Sequence, residues 1–180
     1  SMSEKTQPLM DLVKHHCEEN IKPIQAEYSA LQNEKEDRWS WHPRQIELME
    51  GAKDKARELG LWNFFLPDPD GNIGDGLTNL DYTYVATEIG KYPLASESMN
   101  CSAPDTGNME VLERVGTEEQ KKQWLEPLLN GEIRSAYAMT EPNLASSDAK
   151  NISTSAVLDG DEWVINGEKF YISGAGDPRC

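Results

Sequence analysis

The chain has 180 residues, with 17 Lys and Arg against 32 Asp and Glu, and a net charge of −15. That length suits one large domain or two small ones and is enough to bury a real core. So acidic a chain repels phosphate backbones and anionic membrane surfaces, which argues against nucleic acid as a partner, and no apolar run approaches the roughly 20 residues that would span a bilayer.

The pattern is helical up to about residue 133 and strand-like after it. The expected fold is α+β: an all-α N-terminal domain over residues 1–133, followed over 134–180 by the beginning of an antiparallel β domain. A first helix is predicted from about Gln7 to Asn33. Thr6 is a candidate cap, Pro8 sits in the first turn, and Leu9, Leu12, Val13, Ile21, Ile24, Tyr28 and Leu31 recur at helical spacing. Pro23 lies inside this run and should kink or break it. The charged segment Glu34–Arg38 reads as a solvated loop.

Pro43 opens a second helix to about Leu59, with Ile46, Met49, Ala52, Ala56 and Leu59 on one stripe and Gly60 as its C-terminal stop. Leu61, Trp62, Phe64, Phe65 and Leu66 are too apolar for an open loop and should pack over the core. Asp68-Pro69-Asp70-Gly71 reads as a turn. Thr78 to Ile89 is a third helix, with Thr78-x-x-Asp81 resembling a capping box and Gly90 ending it. Ser96–Val115 holds one or two helices interrupted near Pro104. Thr117-x-x-Gln120 is a second capping box, opening a helix with Trp124, Leu125, Leu128 and Leu129 that ends at Asn130-Gly131. Strands are predicted for Ser135–Thr140, Ile152–Leu158, Glu162–Ile165 and Lys169–Ser173. Asp159-Gly160 and Asn166-Gly167 would turn the last three into a β-meander.

Cys17, Cys101 and Cys180 are odd in number and far apart, so neither a disulfide framework nor a zinc site is indicated, and a reducing compartment fits. Adjacent His15 and His16 would point about 100° apart on a helix, a poor geometry for a shared metal. His42 reads as a surface or cap residue. No metal site is expected.

The stretch Tyr137–Asp148, YAMTEPNLASSD, concentrates the chemistry. A strand delivers Met139 and Thr140 to its end, and Glu141-Pro142 forces a turn. Ala145, Ser146, Ser147 and Asp148 then offer small side chains, hydroxyls and free backbone N–H groups. Such a loop can lie against a flat ring or an anion. The same residues also suit an ordinary strand and polar turn, since no glycine-rich phosphate motif backs them.

This stretch resembles the acyl-CoA dehydrogenase family, whose consensus here is close to T-E-P-x-A-G-S-D. The present chain is one residue longer, with Ala145-Ser146 where glycine is usual. A second block, Asn166–Ser173 (NGEKFYIS), is similar to the family's I-N-G-x-K-x-W-I-T, with Tyr171 for Trp and Ser173 for Thr. The spacing of the blocks and the helical half, including GLWNFFLP, resemble the family in order and character. The extra residue and the SSDA and SGAG wording are most similar to the subfamily of members ten and eleven.

The resemblance implies bound FAD, with Tyr137, Met139, Thr140, Ser147, Tyr171, Ile172 and Ser173 lining it. Thr140 would donate to the isoalloxazine edge and Tyr171 would stack on the ring. Ser146 or Ser147 would meet the acyl-CoA substrate, Ser147 being favoured because it directly precedes the Asp. Family partners are an electron-accepting flavoprotein and further copies of the chain, as a homodimer or homotetramer. No catalytic residue is assigned. The family's base is a carboxylate in a C-terminal helical bundle, and Glu141 belongs to the Thr-Glu-Pro turn.

The resemblance also implies that the natural polypeptide continues past Cys180, through the rest of a β-barrel and that bundle. The 180 residues alone are expected to be inactive. Ser1 ahead of Met2 reads as a residue added in cloning, and SMSEKTQ has no targeting character. The family location would be cytoplasmic in a bacterium and mitochondrial or peroxisomal in a eukaryote. Two rival functions remain at this stage. One is a flavin oxidase or monooxygenase of the same fold; the other is a truncated, non-catalytic interaction module.

Overall fold

A computed structural model describes residues 2–35, 37, 39–66 and 77–180. The turn expected at Asp68–Gly71 lies outside the described residues. Two α-helices, α1 (Gln7–His16) and α2 (Lys22–Leu31), form one continuous rod with a π turn, Cys17–Ile21, between them. They are followed by α3 (Pro43–Glu58), α4 (Asn79–Ile89), the short α5 (Ala95–Ser98) and α6 (Asp105–Val115). Next come α7 (Glu118–Gln120), a second π turn (Lys121–Leu125) and α8 (Glu126–Asn130). The described strands are β1 (Ser155–Asp159) and β2 (Glu162–Asn166), paired antiparallel.

Pro23 interrupts the α pattern locally, through a π turn that keeps the chain helical. The Lys22 N–H reaches back five residues to the Cys17 carbonyl, and the widened turn absorbs the donor that proline lacks. The same device recurs ahead of Pro127, where the Glu126 N–H bonds to the Lys121 carbonyl. Thr6, expected to cap α1, makes no capping bond; its buried hydroxyl lies 3.0 Å from the Ser3 hydroxyl. The Asp81 carboxylate takes the Ser3 N–H and the Thr78 hydroxyl, both at 2.7 Å, so it ties the N-terminus to α4.

At Thr78 only half of the expected capping box forms, the Thr78 hydroxyl oxygen accepting the Asp81 N–H, while other cap signals behave as the sequence indicates. His42 caps α3: its Nδ1 accepts the Arg44 N–H, and Gln45 Oε1 accepts the His42 N–H. Thr117 and Gln120 form a reciprocal capping box. Gly60 has φ +73°, and the Leu61 N–H returns to the Ala56 carbonyl in a Schellman closure. Gly131, at φ +72°, ends α8 in the same way.

The main core joins these helices, with a smaller cluster of Tyr28, Leu48 and Met49 beside it. Met10, Val13, Cys17 and Ile21 from the first rod meet Ala52 and Ala56 of α3, Val85 and Ile89 of α4, and Met109, Leu125 and Leu128. Leu61, Phe64, Phe65 and Leu66 are buried among them, as their apolar run requires. Three stripe residues depart from expectation: Leu12, Ile46 and Trp124 are exposed. Their places are taken by Met10, His16, Cys17, Gln45 and Leu48, all buried.

The meander is reduced to one hairpin. Asp159 pairs with Glu162 around the two-residue loop Gly160-Asp161, with Gly160 at φ +65°. Ser135–Thr140 and Lys169–Ser173 are not strands. They exchange one backbone bond, from the Phe170 N–H to the Thr140 carbonyl at 3.1 Å. An extended segment becomes a strand only where a neighbour takes its alternate N–H and C=O groups, and a single bond does not make a ladder. Asn166-Gly167 is therefore not a hairpin turn. Gly167 serves close approach instead, because a Cβ there would stand 2.2 Å from Thr154 Oγ1.

Candidate functional site

The Thr140-Glu141-Pro142 turn is organised around a buried carboxylate. Glu141 Oε2 accepts the Ser153 N–H and the Ser153 hydroxyl, each at 2.8 Å. Its Oε1 accepts the Thr154 N–H and the Lys169 ammonium, each at 2.9 Å. Lys169, with Thr154 and Ser153, holds the carboxyl well below the usual carboxylate range. So saturated an anion is an anchor, and it does not act as a base. The Lys169 ammonium also donates to the Met139 carbonyl at 2.9 Å. The strip Tyr137–Thr140 and the segment Lys169–Tyr171 are thereby laid side by side.

Ser146 and Ser147 separate in role. The Ser146 hydroxyl is buried and accepts the Glu141 N–H at 2.9 Å, which closes the loop on itself. Ser147 is exposed. Asp148 turns inward on its own backbone, accepting the Lys150 N–H at 3.1 Å. Asn143 supports the turn in a left-handed conformation, φ +61°.

Of the other residues assigned by resemblance, Tyr137 and Tyr171 are 62% and 86% exposed, and both rings are open to a ligand. Met139, Thr140 and Ile172 are half-buried and Ser173 is exposed. The Thr140, Ser147 and Ser173 hydroxyls have no hydrogen-bond partner among the described residues. Tyr171 has φ +52°, and its ring lies 4.3 Å from that of Phe170. Free hydroxyl donors, exposed aromatic faces and a polar loop form a donor set that fits a flat, polar-edged ring such as a flavin.

A cleft of about 600 Å³ opens beside Tyr137, walled by Val111 and Leu112 of α6, Trp124, Leu128 and Ile133. Asn108, Arg134 and Ser135 add polar groups to its lining. Behind them lies a charge cluster. Glu97 pairs with Arg134 and with Arg179, each at 2.8 Å, and Asp105 pairs with Arg134. Burial opposes ionisation of Glu97, but the two guanidinium groups outweigh it and pull its pKa below the ordinary value.

Sequence reading did not find Lys169, Ser153, Asp105 or Asn108, because each acts through a partner distant in the chain. Lys169 was visible only as one letter of the second block. The cysteines stay apart: Cys17 and Cys101 are buried free thiols pushed up to about 12 by burial, and Cys180 is exposed. His16 is buried and bonded to Ser98, away from the site.

Comparison with known proteins is consistent along the chain. Residues 3–132 match the family description "Acyl-CoA dehydrogenase, N-terminal domain", and residues 136–180 match "Acyl-CoA dehydrogenase, middle domain". The chain is 48% identical over 182 residues to "Acyl-CoA dehydrogenase family member 10" of Mus musculus, covering 99% of this chain and 17% of that protein. It is also 48% identical over 181 residues to "Acyl-CoA dehydrogenase family member 11" of Gallus gallus, covering 99% of this chain and 22% of that one. A solved structure described as a "putative acyl-CoA dehydrogenase from Mycobacterium abscessus" superposes with a TM-score of 0.89 at 42% identity, over all of this chain and 45% of that one. The chain thus spans 17% and 22% of the length of these curated relatives and under half of the solved one.

Proposed function

This chain belongs to the acyl-CoA dehydrogenase family, and from that premise we propose that the protein carrying it is an FAD-dependent dehydrogenase of acyl-CoA thioesters. The observation that carries the reading is the joint built by Glu141 and Lys169. It sets the unpartnered Thr140 hydroxyl beside Lys169–Tyr171, next to an apolar cleft that ends on Tyr137. FAD, when bound, would accept a hydride from the acyl β-carbon.

The chain's own residues would do the following. Thr140 donates a hydrogen bond to the ring edge where negative charge builds, and so stabilises that charge. Tyr137 and Met139 form one wall and Tyr171, Ile172 and Ser173 the other, with the Tyr171 ring against the ring system. Ser147, exposed where Ser146 is consumed internally, meets both the cofactor and the acyl-CoA. The apolar cleft beside Tyr137 takes the acyl chain and excludes water from it. None of the described carboxylates is assigned the proton abstraction. Reoxidation would fall to an electron-accepting flavoprotein.

The experiment is direct. The native protein, isolated without denaturation, should be yellow and should bleach anaerobically on addition of an acyl-CoA. A protein that binds no flavin would overturn the proposal, and rapid peroxide formation in air would reassign it to an oxidase.

A further inference from the structure

The strip Tyr137–Thr140 has no sheet to hold it, yet its entry point is fixed tightly. Asp105, the first residue of α6, is 2% exposed. Its Oδ1 accepts the Ser135 N–H at 2.7 Å and the Ser135 hydroxyl at 2.6 Å, and its Oδ2 pairs with Arg134 Nε. One turn along, Asn108 donates to the Ser135 hydroxyl at 2.8 Å and to the Ala136 carbonyl at 3.3 Å. Arg134 is held from its other side by Glu97, and its N–H donates to the Arg179 carbonyl at 3.0 Å. Three consecutive residues, 134 to 136, are thus gripped by side chains of the helical body.

Beyond that grip the backbone bonds of the strip are few: Met139 N–H to Tyr137 carbonyl, and Thr140 carbonyl to Phe170 N–H. Only one residue separates Ser135 from Tyr137. The same helix that grips the strip also supplies Val111 and Leu112 to the wall of the cleft.

From this geometry we propose that Asp105 is a positioning residue: through Ser135 it sets the register and distance at which Tyr137, Met139 and Thr140 meet the flavin, and it couples that strip to the α6 wall of the acyl cleft. The proposal rests on the flavin reading above. A carboxylate is suited to the task because it can take two donors from one residue while its second oxygen holds the neighbouring guanidinium, a geometry a neutral amide cannot reproduce.

The test uses the native protein and its Asp105→Asn variant. In the apoproteins, hydrogen exchange of the 135–140 amides reads the grip itself. Flavin titration and the visible spectrum of the bound flavin read its consequence, and the rate of anaerobic bleaching at saturating acyl-CoA reads the coupling. Asp105→Asn is expected to lose protection at 135–140, to weaken flavin binding about tenfold or more, to shift the flavin absorption, and to slow bleaching at saturation. Ser135→Ala, which keeps the backbone bond to Asp105, should move the same readouts in the same direction by less, and serves if Asp105→Asn does not fold. Asp81→Asn, which weakens a buried carboxylate joint outside the strip and the cleft lining, between Ser3 and Thr78, should leave the flavin spectrum unchanged. If protection falls while flavin affinity and spectrum stay at wild-type values, or if Asp81→Asn shifts the spectrum equally, Asp105 is only structural and the proposal is overturned. A colourless wild-type protein is the distinct outcome that removes the flavin reading itself, and this inference with it.

Discussion

The Lys169 ammonium lies 2.9 Å from the Glu141 carboxylate and makes a second bond, also 2.9 Å, to the Met139 carbonyl. The two stretches that single out this sequence, one around Thr140-Glu141-Pro142 and the other around Asn166-Gly167-Glu168-Lys169, are therefore one physical unit. Lys169 is the pin that holds them in register.

Replacing the pin should loosen the site. Lys169→Met removes one of four donors from a buried carboxylate, which then pulls on Ser153 and Thr154 alone. Flavin binding by the native protein should weaken about tenfold, equivalent to about 1.4 kcal/mol, with Lys169→Arg recovering part of it. Titration of the apoprotein with FAD checks this; an unchanged dissociation constant for Lys169→Met would show that the pin does not shape the site.

His16 makes stability depend on mild acid. The Ser98 hydroxyl donates to the Ala95 carbonyl, so His16 Nε2–H must donate to Ser98 Oγ, leaving Nδ1 to accept from Asn20. Both ring nitrogens are thus satisfied in the neutral form. Burial, aided by neighbouring His15, lowers its pKa to about 4. The unfolded chain takes up this proton near its ordinary value of about 6.5, so acid favours unfolding. The contribution is present above pH 6.5 and declines as pH falls toward 4, losing about 2 kcal/mol between pH 7 and 5. Urea unfolding at pH 7 and 5 should show this loss, and a His16→Gln variant should show a shallower dependence.

Gly167→Ala should be destabilising although the residue lies on the surface. The added methyl would meet Thr154 Oγ1 at 2.2 Å and the Thr154 Cβ at 2.7 Å. Thr154 in turn donates its N–H to Glu141. Overpacking of this kind costs about 1–3 kcal/mol, and the displacement is passed to the Glu141 anchor. Thermal unfolding should register the loss, and Thr154→Gly in the same molecule should relieve most of it. An unchanged midpoint for Gly167→Ala alone would contradict the packing argument.

Asn63 and Asn100 form the plug at the end of α8. Both sit at positive φ, 56° and 54°. Asn100 Nδ2 donates to Asn63 Oδ1 and to the Leu128 carbonyl, while Asn63 Nδ2 and Trp62 Nε1 both reach the Leu129 carbonyl. Asn100→Ala takes away the donor to Asn63 Oδ1 and one of the two donors on the Leu128 carbonyl, and it replaces asparagine, which tolerates the left-handed region, by a residue that tolerates it less. It should cost about 2–4 kcal/mol in denaturant unfolding. Asn100→Gly, which tolerates the backbone, should cost less.

How much of this was legible depends on the range of the interaction. Caps are local, so Thr117, Gly60 and Gly131 could be read from a few neighbouring letters. Pro23 marked where the α pattern is interrupted but not the form of the interruption: a π turn and an open break both answer a missing donor, and composition does not choose between them. Ser135–Thr140 and Lys169–Ser173 carry strand-like residues, yet strand status is conferred by neighbours, and β1 and β2 are the paired segments here. The site was legible as wording around Thr140 and Tyr171. Its mechanics were not, because Asp105 holds Ser135 across 30 residues and Lys169 holds Glu141 across 28. Neither pair has a local signature.

If the Glu141–Lys169 joint presents Thr140 and Tyr171 to a flavin, a crystal structure of the native protein with FAD and an acyl-CoA bound should show it. The Thr140 hydroxyl is expected within hydrogen-bond distance of the isoalloxazine edge, Tyr171 against the ring, and the acyl chain in the cleft beside Tyr137. A flavin seated away from Tyr137–Thr140, with Thr140 and Tyr171 both free of it, would mean that the joint serves the fold alone.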